Sequence, residues 1–351
     1  MPTGRKEVKL LLQRLDEPWR LGGELSWQPL HGDASARRYV RLGGFASGAS
    51  LVAMLLADER ARFSEEAMSG PEPEELPFLD MQRALEAAGL PVPRVVASDV
   101  SAGVVLLEDV GDTTLARAVH GAGREDRRRR YRQAVELLVD FQARTAGPGP
   151  DCIGRRRAFE YDLLRWELDH FLEYLVDEQR GVRLEGEPAR VVGQAFDRLA
   201  AEIASWPRVL VHRDFQSRNI MLAPRGPVLI DFQDALMGPA VYDLVALLRD
   251  SYVVLDDDLL DELIDYYLEL CSARDLKRPP ADTWRRQFDL QTLQRKLKDA
   301  GRFVFIERVK NNPDFLPFIA PSLAYARQAF ERLPEYQPCR RVLAAVVEEL
   351  R

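Results

Sequence analysis

A carboxylate, a carboxamide five residues later and a second carboxylate beyond a turn form the chemically most suggestive pattern in this chain. Asp214 and Asn219 lie in Val209-Leu-Val-His-Arg-Asp-Phe-Gln-Ser-Arg-Asn-Ile-Met-Leu222, and Asp231 follows in Val228-Leu-Ile-Asp-Phe-Gln-Asp234. Transfer of a phosphoryl group asks little covalent chemistry of a protein, but it demands strict positioning and neutralisation of charge. One carboxylate must meet the acceptor hydroxyl, and hard oxygen donors must hold a Mg²⁺ ion that bridges the phosphates. Asp214 fits the base, while Asn219 and Asp231 fit the metal ligands, which makes Asn219 part of the catalytic pair as well. His212 and Arg213 are expected to orient the loop backbone and to pair nearby acids. The bland alternative is a surface hairpin that happens to contain these residues. Against it stand three short apolar runs, Val209 to Val211, Ile220 to Leu222 and Val228 to Ile230, with Pro224-Arg-Gly-Pro227 as a turn, so the polar loop is slung between buried strands.

The elements that must position this loop come from the rest of the chain. With 351 residues, 46% hydrophobic and 30% charged, there is enough material for two lobes, each with a core. A net charge of −7 argues against a nucleic-acid or anionic-membrane partner. Cys152, Cys271 and Cys339 are odd in number and scattered, which supports neither a disulfide framework nor a zinc site and fits a reducing cytoplasm. Met1 to Leu15 mixes charges with leucines, and no later run of 18 apolar residues follows, so neither secretion nor membrane spanning is expected.

Residues 5 to 15 read as an amphipathic helix. Trp27 to Leu30, Arg37 to Leu42 and Ser50 to Leu56 read as three strands of an antiparallel sheet. Between the first two, His31-Gly-Asp-Ala-Ser-Ala36 can bring backbone N–H groups up to phosphate oxygens, with Gly32 and Ser35 best suited to the contact, although a plain hairpin turn has the same look. Residues 57 to 75 are expected to form a mobile insertion. Pro77 to Gly89 reads as a helix with Phe78, Met81, Leu85 and Ala88 on one face, and Val92 to Ala97 and Val104 to Glu108 as further strands. Beyond Thr113 the helical period dominates. Tyr161, Leu164, Leu168, Phe171, Leu172 and Leu175 define one apolar stripe, and Leu290, Leu293, Leu297 and Val304 another. The six arginines between Arg124 and Arg132 read as a solvated helix face, and Asp256-Asp-Asp258 as an acidic helix start. His31, His120 and His170 have no ligand-like partners in sequence and are read as non-metal.

The form His-Arg-Asp-x-x-x-x-Asn resembles the protein-kinase catalytic loop. Together with Ile230-Asp-Phe-Gln-Asp-Ala235 and Gly238-Pro-Ala-Val-Tyr-Asp-Leu-Val-Ala-Leu-Leu-Arg-Asp250 it resembles the aminoglycoside phosphotransferase superfamily. Asp33-Ala-Ser-Ala-Arg-Arg-Tyr39, Leu90-Pro-Val-Pro93, Leu107-Glu-Asp-Val-Gly111, Leu164-Arg-Trp-Glu-Leu-Asp-His-Phe171 and Leu293-Gln-Arg-Lys-Leu-Lys-Asp-Ala-Gly301 bring the likeness closest to the kinases that phosphorylate N-acetylmuramate and N-acetylglucosamine at C1 in cell-wall recycling. The resemblance implies an α+β bilobal protein-kinase-like fold, with a small antiparallel-sheet N-lobe over residues 1–108 and a larger helical C-lobe over 109–351. It implies ATP and Mg²⁺ as cofactors, a small sugar as acceptor and a cytoplasmic monomer. Adenine would meet the backbone of Glu108 and Val110 at the hinge, and Asp243 would brace the catalytic loop.

Two departures qualify that pattern. Met54 stands on the third strand where a protein kinase keeps its phosphate-holding lysine, so Arg37, Arg38 or Arg41 is the nearest replacement cation, Arg38 being the one assigned to the nucleotide. Gln216 stands where the subgroup commonly has histidine. The alternatives are a kinase for another small hydroxyl compound, such as an aminoglycoside or a choline-like alcohol, and a nucleotide-binding pseudokinase. Gln291, Gln294, Arg295, Lys296 and Lys298 favour an acceptor with N-acetyl and carboxylate groups over a polycation. A pseudokinase would normally lack one of Asp214, Asn219 and Asp231.

Overall fold

Alternation of apolar side chains over short runs builds the sheet that starts the chain. The computed structural model describes residues 4–30, 37–56, 75–147 and 149–351. Gly32, Ser35 and the expected insertion at 57–75, save its last residue, lie outside them. After helix α1 (Arg5–Leu12) come strands β1 (Leu21–Leu30), β2 (Arg38–Phe45) and β3 (Leu51–Leu55), then helix α2 (Pro77–Ala87) and strands β4 (Val95–Asp99) and β5 (Val104–Glu108). All neighbours in the sheet order β1-β2-β3-β5-β4 are antiparallel. Strand β1 begins well before the expected Trp27, because Gly22 and Gly23 dilute the apolar signal without ending the pairing. Strand β4 begins only after Pro93, since Pro91 and Pro93 have no N–H to give to a ladder.

The two faces of the sheet have different tasks. Val40, Leu42, Ala53, Leu55, Val104 and Leu106 pack with Val8, Leu11 and Leu12 of α1. Met54, Val105 and Leu107 face the other way, onto Phe78, Met81 and Leu85 of α2. That second core does not stop at Glu108. It continues through Phe215, Phe232 and Leu244 to Trp284, deep among the helices. Phe78 stacks on Phe232 with ring centres 5.1 Å apart, and Asp80 accepts the Ile153 N–H at 2.6 Å. Gly154 lets α2 approach, since a Cβ there would lie 2.9 Å from the Met81 sulfur.

Beyond the sheet the chain is mainly helical: α3 (Leu115–Val119), α4 (Arg124–Arg144), α5 (Ile153–Arg156), α6 (Tyr161–His170), α7 (Gly186–Ala204), α8 (Val241–Leu248), α9 (Asp257–Ala273), α10 (Ala281–Lys310), α11 (Ile319–Arg332) and α12 (Gln337–Ala344). Strand β6 (Arg208–Val211) pairs with β9 (Leu236–Pro239), and β7 (Ile220–Ala223) with β8 (Gly226–Leu229). This is the α+β arrangement expected, a sheet-rich part followed by a helical one.

Three expectations are corrected by the packing. Tyr161 leaves its stripe for the surface and donates a hydrogen bond to Asp197, while Leu164, Leu168, Phe171 and Leu175 stay buried. Helix α6 runs on as a π-helix over Phe171–Gln179, and there Leu172 leaves the buried stripe for a half-buried position. The arginines of α4 are not a freely solvated face: Arg128 and Arg132 both reach Glu262 on α9, and Arg132 lies 3.6 Å over the Tyr266 ring. Asp256 caps α9 as read, accepting the Leu259 N–H at 2.9 Å.

Candidate active site

Three buried acids and one buried arginine hold the loop between β6 and β7. Asp243, in the first turn of α8, accepts the His212 N–H at 2.7 Å and the Arg213 N–H at 3.0 Å, the bracing geometry expected of it. Asp250, just past α8, accepts the Ser217 N–H at 2.9 Å as well as its hydroxyl, and the Tyr252 N–H at 3.0 Å. Glu167 on α6 takes the Arg213 guanidinium at 3.0 Å and the Gln294 amide at 2.7 Å. From α10, Arg295 donates to the Arg213 carbonyl at 2.8 Å and to Asp214 Oδ1 at 3.2 Å. These contacts over-determine a backbone that would otherwise relax, because Arg213 (φ 76°) is held in the left-handed region that non-glycine residues avoid; Asp231 (φ 66°) lies in the same region.

The carboxyl group of Asp214 is asymmetric in its surroundings. Oδ1 accepts from Arg295 and, at 3.3 Å, from Gln216, whereas among the described residues Oδ2 has no hydrogen-bond donor. About a third of the side chain, 32%, reaches solvent. One oxygen is thus fixed and the other is open to an acceptor hydroxyl. The Asn219 amide nitrogen donates to the Asp214 carbonyl at 2.9 Å and lies 3.4 Å from Asp231 Oδ2, leaving its Oδ1 available to a cation. Asp231 Oδ1 is held by Gln233 at 2.7 Å. Asp231 is exposed to solvent, with protein packed closely around its carboxyl group. That crowding, with the Asp214 charge nearby, pushes its pKa up to about 6. A divalent cation would relieve this repulsion, so the donor set fits one. No cluster of three or more His, Cys, Asp or Glu side chains suited to a metal occurs among the described residues.

Burial shifts a loop group and the acid that braces it in opposite directions. His212, packed against Phe141 and Phe215, is lowered to about 4 by desolvation, and Asp243 is raised to about 7 by the same cause. An unfolded histidine takes up its proton near pH 6.5, so the stabilisation from neutral His212 is full above that pH and is lost as pH falls through about 4. The Asp243 contribution is full below its unfolded pKa of about 3.9 and is lost as pH rises through about 7. Over the shared window the two offset each other. Asp243→Asn removes the second contribution, so the thermal midpoint of that variant should fall more steeply from pH 6.5 to 4.5 than that of the unchanged protein. Parallel melting curves at each pH would contradict this assignment.

On the nucleotide side, β2 decides between the candidate arginines. Arg38 pairs across to Leu55 and shares the α1 face with Val40, so it points away from Asp231. The buried Arg37 lies on the other side, near enough to Asp231 for its charge to oppose the upward shift there. Arg38, the arginine expected to meet the nucleotide, is thus on the opposite side of β2 from Asp231, and the physical reason is the two-residue period of a strand. Arg41 is committed elsewhere: it binds Asp109 at 2.6 Å and Asp112 at 2.8 Å, and Ser50 adds a bond to Asp109 at 2.6 Å. The two aspartates flank Val110. The Glu108 N–H is used by the Arg94 carbonyl at 2.9 Å, and its carboxylate by Arg94 and Arg225. Arg41→Ala frees this linker, and the expected result is a rise of about tenfold in KM for the nucleotide with a smaller change in kcat, from the loss of charge-assisted hydrogen bonds. An unchanged KM would show that the linker holds its shape without Arg41.

Sequence reasoning gave Glu167 and Asp250 no role. For Glu167 a signal existed, since it falls on the same stripe as Leu164, Leu168 and Phe171, where an acid has to be buried and paired. For Asp250 there was none, because an acid after an apolar helix reads equally well as a surface residue.

The sequence pattern of the phosphotransferase enzyme family matches residues 26–285. An N-acetylmuramate/N-acetylglucosamine kinase of Pseudomonas aeruginosa is 31% identical over 91% of this chain and 88% of its own length. One from Neisseria meningitidis is 31% identical over 91% and 90%. In three dimensions, a choline kinase of Cryptosporidium parvum superposes with a TM-score of 0.61 at 9% identity, covering 99% of both chains. A gentamicin complex of the aminoglycoside phosphotransferase APH(2")-IIa gives 0.56 at 14% identity, over 85% of this chain and 91% of the other. The family pattern over residues 26–285 and the similarity over nine-tenths of the chain agree: the chain belongs to the phosphotransferase enzyme family.

Proposed function

We propose that this enzyme transfers the γ-phosphoryl group of ATP to the anomeric hydroxyl of N-acetylmuramate, N-acetylglucosamine or both, giving the sugar 1-phosphate. The observation that carries this reading is similarity to kinases of that name over nine-tenths of the chain, at 31% identity, in a protein that brings Asp214, Asn219 and Asp231 together. Asp214 Oδ2 takes the proton as the acceptor oxygen bonds to phosphorus, and an anomeric hydroxyl suits a carboxylate base because it is more acidic than an ordinary alcohol. Arg295 and Gln216 keep Oδ1 in place, so the reacting oxygen does not rotate away. Asn219 and Asp231 hold the Mg²⁺, which when bound neutralises charge on the phosphates. Arg37 lies near Asp231 and serves where a protein kinase has its lysine. The Glu108 carbonyl and Val110 amide receive the adenine, on a linker pinned by Arg41.

The test is phosphorus NMR of the protein with Mg-ATP and N-acetylmuramate, N-acetylglucosamine or kanamycin. The expected result is a new phosphate resonance coupled to the anomeric proton of an amino sugar. A new resonance with kanamycin alone would make the enzyme an aminoglycoside kinase instead. ATP left intact with all three would remove the sugar reading and leave an enzyme for another alcohol.

A further inference from the structure

Helix α10 carries three cations within four positions, all buried, and Lys298 has the fewest partners of the three among the described residues. Arg295 is used by Asp214 and the Arg213 carbonyl. Lys296 is used by Asp299 at 2.7 Å and by the Ser251 hydroxyl at 3.1 Å. Lys298 has a single partner among the described residues, Asp299 at 3.3 Å, and that carboxylate is already shared with Lys296 and, at 3.8 Å, with Arg295. Glu167, whose charge also acts on Lys298, has both oxygens engaged by Arg213 and Gln294. An ammonium group has three N–H donors, and leaving two of them without acceptors in a buried place is costly unless a ligand supplies the oxygens. Yet Lys298 keeps 10% of its side chain accessible.

Its place on the helix matters as much as its charge. Residues three apart on a helix share a face, with Cβ atoms roughly 5–6 Å apart. Lys298 therefore stands beside Arg295, whose guanidinium touches the base, at a spacing on the scale of a hexose ring. It also lies among Tyr242, Glu167 and Arg295, on the side of α10 that faces the catalytic loop.

We infer that Lys298 recognises an anionic substituent of the acceptor, the carboxylate carried on the 3-oxygen of N-acetylmuramate, and so sets the preference between acidic and neutral amino sugars. This rests on the proposed function, whose acceptors differ in that one group.

The experiment compares kcat/KM for N-acetylmuramate, its methyl ester and N-acetylglucosamine. With the unchanged protein, the ester is expected to lose roughly 10- to 100-fold relative to the acid, which tests the idea without disturbing the fold. In Lys298→Met the ratio of N-acetylmuramate to N-acetylglucosamine should fall by a similar factor, chiefly through KM, and Lys298→Arg should recover part of it. Equal losses on both sugars in the variant would make Lys298 a structural residue, and an ester as good as the acid would overturn the inference outright. If the unchanged protein phosphorylates neither sugar, the proposed function itself falls; if it phosphorylates both and the ratio stays constant, Lys298 alone is misassigned.

Discussion

Asp214→Asn is expected to lower kcat by roughly 10²- to 10⁴-fold, the usual share of a positioned general base, while the dissociation constant for Mg-ADP stays within about twofold. The asparagine still offers one oxygen to Arg295 and Gln216, so the loop keeps its shape and only the proton acceptor is lost. Stopped turnover with intact nucleotide binding, measured by calorimetry on the same preparation, separates chemistry from assembly. A variant as active as the unchanged protein would take the base role away from Asp214.

The largest expected effect on stability lies one layer behind the chemistry. Glu167 and Arg213 are a buried pair whose side chains are 1% and 4% exposed. Glu167→Ala takes the carboxylate away from a buried guanidinium, which costs about 3–5 kcal/mol and should lower the thermal midpoint by roughly 5–10 °C. It also releases Gln294, so the damage reaches α10. Glu167→Gln keeps an acceptor oxygen and should lose less than the alanine variant. Midpoints within about 2 °C of each other for all three proteins would mean that the pair is relaxed by water or by neighbouring groups.

What the sequence disclosed, and what it hid, follows from how local each signal is. The catalytic loop was legible because its residues are close in sequence and bounded by apolar runs, so Asp214, Asn219 and Asp231 could be placed on neighbouring turns before any coordinates. The sheet was legible from alternation, and α2 from its spacing. Alternation also held the answer for Arg37 against Arg38, since a residue in phase with Val40 and Leu42 must share their face. The supports were harder to read. Asp250, Glu167 and Asp299 act through contacts more than 30 residues away or across a fully buried helix face, and in a linear reading a buried acid looks like a solvated one. The α4 arginines misled in the converse way, because their partner Glu262 comes more than 100 residues later.

The core that passes beneath the linker has a consequence for recombining this protein with its relatives. Glu108 is where sheet gives way to helices, and it would be the natural crossover for a chimera that borrows a nucleotide-binding half. Such a cut would set a foreign helix against native partners at several points at once: a different side chain over Phe232 in place of Phe78, and a different one where Gly154 makes room for Met81. Swaps that carry residues 153–154 and 232 along with α2 keep those matched pairs together. In this fold the unit of exchange is set by who touches whom, and the linker marks only where the chain changes direction.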